Sequence, residues 1–166
     1  MKDIKFGTDG WRAVIGQEYT TENVARVSIA VADWLIENYQ DPCVVIGHDC
    51  RFGGKLFSET AAKVLAIKGV DVKLAKGFVS TPMVSLGVIK NKADLGVVIT
   101  ASHNPPSYNG YKLKGDFGGP LLQDDIKDVE SRIPDNNSCD YDDVLIEDLI
   151  TENKIVYVDL EDMYCK

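Results

Sequence analysis

The sequence contains few cysteines and no long apolar run. Its four cysteines, at positions 43, 50, 139 and 165, form no C-x-x-C pair, and this sparse spacing favours a reduced, cytoplasmic setting. No stretch approaches the roughly 20 apolar residues that a membrane-spanning helix needs, and the charged first residues lead into no apolar run. We therefore expect neither a signal peptide nor a membrane partner.

The sequence also lacks an excess of basic residues. Residues 1–133 carry 16 acidic and 16 basic side chains, whereas residues 134–166 carry 10 acidic and 2 basic ones, which produces the net charge of −8. Proteins that bind nucleic acids use basic side chains to displace counterions, and no such surplus is present. We therefore expect no nucleic-acid partner.

Apolar runs alternate with helical patterns along most of the chain. Hydrophobic spacing and turn residues predict strands at 11–15, 42–49, 70–76, 95–99 and 111–114, and helices at 20–39, 55–68, 81–91 and 126–133. Hydroxyl side chains are expected to cap the helices that follow residues 20 and 80. This alternation predicts an α/β fold, with a mixed, largely parallel sheet and helices on both faces.

The acidic C-terminal part differs from the rest. Residues 135–143 are polar and acidic, and we expect the segment 135–153 to be a surface feature that adds little to the core. Residues 155–158 fit either a strand or an extended connection, and residues 159–166 resemble the start of a helix that is cut short. The predicted organisation is a domain at 1–134, then an acidic loop and truncated connection toward a missing second domain at 135–166.

The most informative stretch is TASHNPPSYNGYKLKG at residues 100–115. A buried strand leads into Ser102 and His103, two prolines stiffen the loop, and Asn109-Gly110 tolerates positive φ. We expect loop amides near Ser102 to face an incoming phosphate, and Lys112 and Lys114 to share one face of the next strand. A hydroxyl and a lysine held in this way suit phosphoryl transfer; the alternative is a solvated turn.

Ser102 and His103 do not form a hydrolase dyad in this sequence. The G-x-S-x-G elbow is missing, and no acidic residue is in an evident position to orient the histidine.

Three motifs in order resemble the α-D-phosphohexomutases, the family of phosphoglucomutase, phosphomannomutase and phosphoglucosamine mutase. Residues 100–105 followed by 108–112 are similar to its phosphoserine signature. Residues 6–12, FGTDGWR, resemble its N-terminal loop, and residues 47–51, GHDCR, resemble its G-x-D-x-R segment. The resemblance covers about residues 4–134 and implies the fold of domain I of a four-domain enzyme.

The resemblance also implies a mechanism. A phosphorylated Ser102 would exchange its phosphoryl group with a hexose phosphate, moving phosphate between positions 1 and 6 through a hexose 1,6-bisphosphate. Lys112 would be the general acid/base, and Thr8 and Arg12 would bind phosphate or substrate. His103 would assist Ser102, or else be a hydrogen-bonded loop histidine. Mg²⁺ would bind through the phosphate on Ser102, with its other ligands in the second domain.

The partners implied are a hexose phosphate and the remaining three domains of the enzyme. Glucose, mannose and glucosamine phosphates all stay open, because the family's sugar-selecting loop is not in this sequence. A 166-residue chain acting alone would instead be a catalytically incomplete fragment or a non-catalytic binding module.

Overall fold

A single six-stranded sheet organises the chain. The computed structural model describes residues 4–166. The strands are β1 Trp11–Val14, β2 Cys43–His48, β3 Asp71–Phe78, β4 Leu95–Ile99, β5 Tyr108–Gly115 and β6 Ile155–Val158. The helices are α1 Thr21–Asn38, α2 Gly54–Ile67, α3 Thr81–Lys90, α4 Gln123–Ser131, α5 Ile146–Thr151 and α6 Leu160–Cys165.

The strand order across the sheet is β1-β5-β4-β2-β3-β6. Neighbours β4 and β2, β2 and β3, and β3 and β6 run parallel, whereas β5 pairs antiparallel with both β1 and β4. The predicted mixed, largely parallel sheet is therefore confirmed. Because β4 and β2 are adjacent and parallel, their carboxyl ends open at the same edge, where sites in such sheets form.

Alternating side chains on the strands build a core on each face of the sheet. Val44 and Ile46 belong to the larger core, which α1, α2, α4 and α5 cover, whereas Val45 belongs to the smaller core under α3 and α6. The predicted placement of helices on both faces is confirmed. None of the helices within residues 4–166 is long and apolar enough to cross a membrane.

The predicted helix starts have mixed outcomes. The Thr20 side chain accepts a hydrogen bond from the backbone N–H of Asn23 at 3.2 Å and caps α1, as expected. The hydroxyl cap expected for α3 is wrong, because Ser80 stands at the cap position without a capping hydrogen bond from its side chain. Pro82 in the first turn of α3 instead supplies a φ already suited to the helix.

The prediction that residues 135–153 add little to the core is wrong. Cys139 and Tyr141 are buried in a small cluster against α1 and α2, and Leu149 of α5 lies in the larger core. Most apolar residues of this segment turn inward, although Leu145 is exposed, and the acidic ones between them face solvent, so composition alone concealed the burial.

The last residues complete the sheet. β6 pairs with β3 at its edge, so the strand alternative for residues 155–158 is the one observed. The Asp159 side chain caps α6, and Leu160 packs so closely on Gly87 of α3 that a Cβ there would lie 2.7 Å from the leucine. The domain boundary at residue 134 stays a prediction, although the segment beyond it belongs to the same sheet.

Candidate active site

Ser102 lies in a tight turn directly after β4. The backbone N–H of Asn104 donates to the carbonyl oxygen of Ala101 at 3.0 Å and closes the turn. Ser102 has φ +53, in the left-handed region that non-glycine residues seldom occupy, and its side chain is exposed. Such a conformation persists only where the surroundings impose it, and it is common at functional sites.

The side chain of Arg51 holds the loop in that conformation. Its guanidinium donates hydrogen bonds to the carbonyl oxygens of Asn104 at 2.6 Å, Ser102 at 2.7 Å, Pro105 at 2.8 Å and Tyr108 at 3.1 Å. The rigid fork of donors on arginine allows one side chain to bind several acceptors at once. A single residue after β2 therefore fixes the whole loop that carries Ser102.

A second set of hydrogen bonds holds the backbone N–H of Ser102. The Thr100 hydroxyl donates to a carboxylate oxygen of Asp49, and the same hydroxyl oxygen accepts the backbone N–H of Ser102 at 3.1 Å. Asp49 also accepts the backbone N–H of Arg51 at 3.0 Å and contacts the Arg51 Nε at 3.5 Å. Residues 49–51 and Ser102 therefore lie together at one edge of the sheet.

The expectation that several loop amides face an incoming phosphate needs correction. The amides of Ser102 and Asn104 already donate to Thr100 and Ala101. Between residues 102 and 104 only the His103 amide has no hydrogen bond to the part of the chain that the structure describes. Side-chain cations therefore provide most of the anion-binding capacity here.

The Asn109-Gly110 pair also has a different role from the predicted one. Both residues lie inside β5 in extended conformation rather than in a turn with positive φ. A Cβ at Gly110 would lie 2.5 Å from the Thr100 carbonyl oxygen and 2.8 Å from that of Trp11. Glycine is needed at this position because β5 runs between two close neighbours, not because of a turn.

Lys112 reaches the site from β5. Its Nζ donates to Oδ2 of Asp9 at 2.6 Å, and the Arg12 guanidinium donates to the same oxygen at 2.9 Å. Arg12 also donates to the side-chain oxygen of Asn104 at 2.8 Å, which joins this ionic cluster to the Ser102 loop. The structure thus brings Arg12 and Lys112 together and connects both to the turn at Ser102.

Lys114 lies on the same face of β5 as Lys112, as expected, and both side chains are buried. The side chain of Lys114 makes no hydrogen bond or ion pair with another residue of the range 4–166. Burial, together with the positive charge of Lys112, lowers the pKa of Lys114 below its usual value, while Asp9 acts in the opposite direction. Lys112 has the acidic partner that Lys114 lacks.

Thr8 and His103 line one open cavity. This cavity of about 510 Å³ is bounded by Lys5, Gly7, Thr8, Asp9, Gly10, Arg12 and His103. The side chains of Thr8 and His103 are exposed, and that of His103 makes no hydrogen bond to the described residues. The alternative of a hydrogen-bonded loop histidine therefore gains no support. The catalytic role of His103 and the phosphate- or substrate-binding role of Thr8 stay predictions.

The described residues form no metal-binding cluster of their own. In the region covered by the structure, no three His, Cys, Asp or Glu side chains come together in a way that would hold a metal ion. These residues alone do not fit a Mg²⁺ site, and the expected binding of Mg²⁺ through a phosphate on Ser102 stays a prediction.

Sequence reasoning did not predict three sets of contacts in the site: that of Asp9 with Lys112, that of Asp49 with Thr100, and those of Arg51 with the loop carbonyls. The contacts join residues 103, 51 and 51 to 57 positions apart, respectively, so local patterns do not reveal them. The signal in the sequence was that Asp9 belongs to one short glycine-containing motif and that Asp49 and Arg51 belong to another.

Comparisons with known proteins agree on one family. Residues 3–139 match the sequence pattern described as "Phosphoglucomutase/phosphomannomutase, alpha/beta/alpha domain I". The chain is 39% identical over 122 residues to a phosphoglucomutase of Staphylococcus saprophyticus, covering 72% of this chain and 22% of that protein. It is 40% identical over 133 residues to the phosphoglucosamine mutase of Clostridium tetani, covering 80% and 29%.

A solved structure shows the same likeness in three dimensions. The crystal structure of a Thermus thermophilus protein assigned as a phosphomannomutase superimposes with a TM-score of 0.85 at 35% identity, covering 98% of this chain and 35% of that one. The chain thus spans between about a fifth and about a third of the length of the relatives it matches.

Proposed function

The chain belongs to the phosphoglucomutase/phosphomannomutase family, as its α/β/α domain I, and from this premise we propose that it is the catalytic-serine domain of a phosphohexomutase. One observation carries the proposal. Ser102 is exposed on a loop fixed by four hydrogen bonds from Arg51, and Asn104 of the same loop binds the Arg12–Asp9–Lys112 cluster.

The proposed reaction transfers a phosphoryl group from Ser102 to a sugar phosphate. The bond between phosphorus and the serine oxygen breaks as a sugar hydroxyl oxygen forms a new bond to phosphorus. Lys112 gives a proton to the leaving Ser102 oxygen, and its neutral amine then takes the proton that the sugar hydroxyl releases. The resulting bisphosphate then returns its other phosphate to Ser102, and Lys112 gives a proton to the leaving sugar oxygen and takes that of the Ser102 hydroxyl. Residues held this rigidly favour phosphoryl transfer, because its catalysis depends chiefly on positioning and charge stabilisation.

Arg12 is the proposed phosphate ligand on this side of the site. A guanidinium binds phosphate oxygens through two parallel hydrogen bonds, and Arg12 already holds the loop through Asn104. On the wall of the same cavity, Thr8 would contact the substrate and His103 would assist Ser102. A phosphoserine carries about −1.5 to −2 charges at pH 7, so these cations would also stabilise the phosphorylated state.

The proposal that the enzyme uses Mg²⁺ rests on membership of the family alone. The ion would withdraw negative charge from the phosphoryl group, and this chain would contribute the phosphate on Ser102 as a ligand. The proposed complete enzyme would have three further domains, which would supply the other Mg²⁺ ligands. It would form a hexose 1,6-bisphosphate intermediate. We also propose a cytoplasmic setting for it.

The substrate is proposed as a sugar phosphate without further choice. A relative 35% identical over 166 residues, covering 93% of this chain and 26% of its own length, is the phosphoribomutase of Saccharomyces cerevisiae. Relatives named for glucose, glucosamine and ribose phosphates thus share this domain. What these substrates share is the phosphate, which is the group that Arg12 and Lys112 are suited to bind.

The test uses the complete enzyme that carries this domain, with Ser102→Ala and, as a matched control in the same loop, Ser107→Ala. Conversion of glucose, mannose and glucosamine 1-phosphates to the 6-phosphates is measured. We expect Ser102→Ala to abolish most turnover without unfolding the protein, because the exposed hydroxyl adds little to the core. Normal turnover by Ser102→Ala would refute the proposal.

A second possibility is that the isolated chain is a non-catalytic fragment or binding module. The small share of each relative that it covers favours this for the chain on its own. Purified, it should fold but show no mutase turnover. Turnover near that of an intact mutase would end this alternative.

A further inference from the structure

The carboxylate of Asp9 lies beside two positively charged side chains. The loop at residues 7–10 rests directly on β5: a Cβ at Gly10 would lie 2.6 Å from the Tyr111 carbonyl oxygen and 3.1 Å from Lys112 Cα. Gly10 also has φ +95, which favours glycine. These constraints bring the neighbouring Asp9 beside Lys112.

One oxygen of that carboxylate receives both cations. Oδ2 of Asp9 accepts from Lys112 Nζ at 2.6 Å and from Arg12 Nη2 at 2.9 Å. The side chain of Lys112 is only 8% exposed, whereas that of Asp9 is 48% exposed and lines the open cavity. The carboxylate therefore stands between the buried Lys112 ammonium and the cavity from which a ligand would come, and Arg12 lines the same cavity.

The carboxylate stays ionised in this position. Burial on its own would raise the pKa of the Asp9 carboxyl, but the hydrogen bond from Lys112 and the positive charges of Lys112, Arg12 and Lys114 outweigh it, so the pKa lies below its usual value. An oxyanion between an ammonium and a guanidinium is also the arrangement that a phosphate oxygen would adopt there.

We propose that Asp9 is a positioning residue that occupies the phosphate site between Arg12 and Lys112 until a phosphate group displaces it. It holds the two cations in place while no phosphate is present, and it lowers the affinity of the site for free phosphate. This rests on the proposed function, since that function brings phosphate to this site. Its test, however, needs no catalytic turnover.

The experiment titrates inorganic phosphate into this chain at constant pH and ionic strength. Binding is followed by the backbone amide signals of Gly10 and Asn104 in ¹H–¹⁵N spectra. Asp9→Asn keeps the shape of the side chain and removes its charge, and we expect phosphate to bind it about 10-fold more tightly than the unaltered chain. Asp124→Asn is the matched control, because it removes an equal charge from a fully exposed carboxylate on α4.

A double-mutant cycle locates the effect. The gain from Asp9→Asn should shrink when Lys112→Met is also present, because only one of the two released cations then remains. An affinity within twofold of that of Asp124→Asn, or a gain of the same size in the Lys112→Met background, would overturn the proposal. Asp9→Ser, a second variant without the charge, should behave like Asp9→Asn, and thermal unfolding of each variant verifies its fold.

The two proposals fail separately. If Asp9→Asn gains phosphate affinity but the complete enzyme lacks mutase turnover, the proposed function falls and the role of Asp9 stands. If the enzyme turns over through Ser102 and Asp9→Asn gains no affinity for phosphate, only the proposed role of Asp9 is refuted.

Discussion

Replacing Arg51 by lysine removes the fork that holds the Ser102 loop while keeping the positive charge. Arg51 makes four hydrogen bonds of 2.6 to 3.1 Å to loop carbonyls, and its side chain is only 14% exposed. A lysine ammonium cannot span four acceptors spread over residues 102–108, and we expect it to keep two at most. At about 1 kcal/mol for each of two lost bonds, the free energy of unfolding should fall by about 2 kcal/mol.

That loss corresponds to a fall of about 4–8 °C in Tm for a chain of this size, measured by calorimetry. Amide hydrogen exchange should also quicken at Asn104 and Tyr108, whose N–H groups close turns inside the loop. The matched control is Arg132→Lys, because Arg132 makes its ion pairs with Asp128 and Glu37 far from the loop at the surface. An Arg51→Lys chain with unchanged Tm and unchanged loop exchange would refute the reasoning.

Three further predictions test neighbouring residues. Lys112→Met should lower turnover of the complete enzyme by about 10²–10⁴-fold, the usual contribution of general acid/base catalysis, while Lys114→Met changes it little; equal losses would contradict the assigned roles. Because the pKa of Lys114 is lowered in the folded state, the unfolded state binds more protons between that pKa and the usual 10.5, so this lysine's contribution to the free energy of unfolding should rise with pH there. Urea unfolding across that window should show the rise in the unaltered chain and lose it in Lys114→Met. Leu149→Ala should lower the free energy of unfolding by about 2–5 kcal/mol, because Leu149 is buried in the larger core; a loss below about 0.5 kcal/mol would show α5 to be peripheral.

Most of the helices and strands were predictable because their signals are local, but α5 was not predicted. α1, for example, combines a threonine cap with apolar residues at helical spacing, and the run at 95–99 is fully buried as β4. Short-range patterns also placed Ser102 at the end of that strand. The order of the strands was not predicted, because pairings between distant strands leave no trace in local spacing.

The missed parts of the site depend on tertiary contacts. Asp9 and Lys112 are 103 positions apart and meet only because β5 lies next to the loop before β1. The misjudged acidic segment has the same origin: Tyr141 is buried against α1 and α2, although its neighbours in sequence are aspartates. Gly110 was assigned to a turn because Asn-Gly pairs are common in turns, whereas crowding between strands explains it here.

The central claim is that Ser102 carries the phosphoryl group, and direct mapping of that group tests it. The complete enzyme is incubated with labelled glucose 1,6-bisphosphate, digested, and its phosphopeptides are sequenced. We expect label on Ser102 alone, since this hydroxyl is exposed on the loop that Arg51 fixes and that Asn104 connects to Arg12. Label on Ser107, or none on Ser102, would contradict the account.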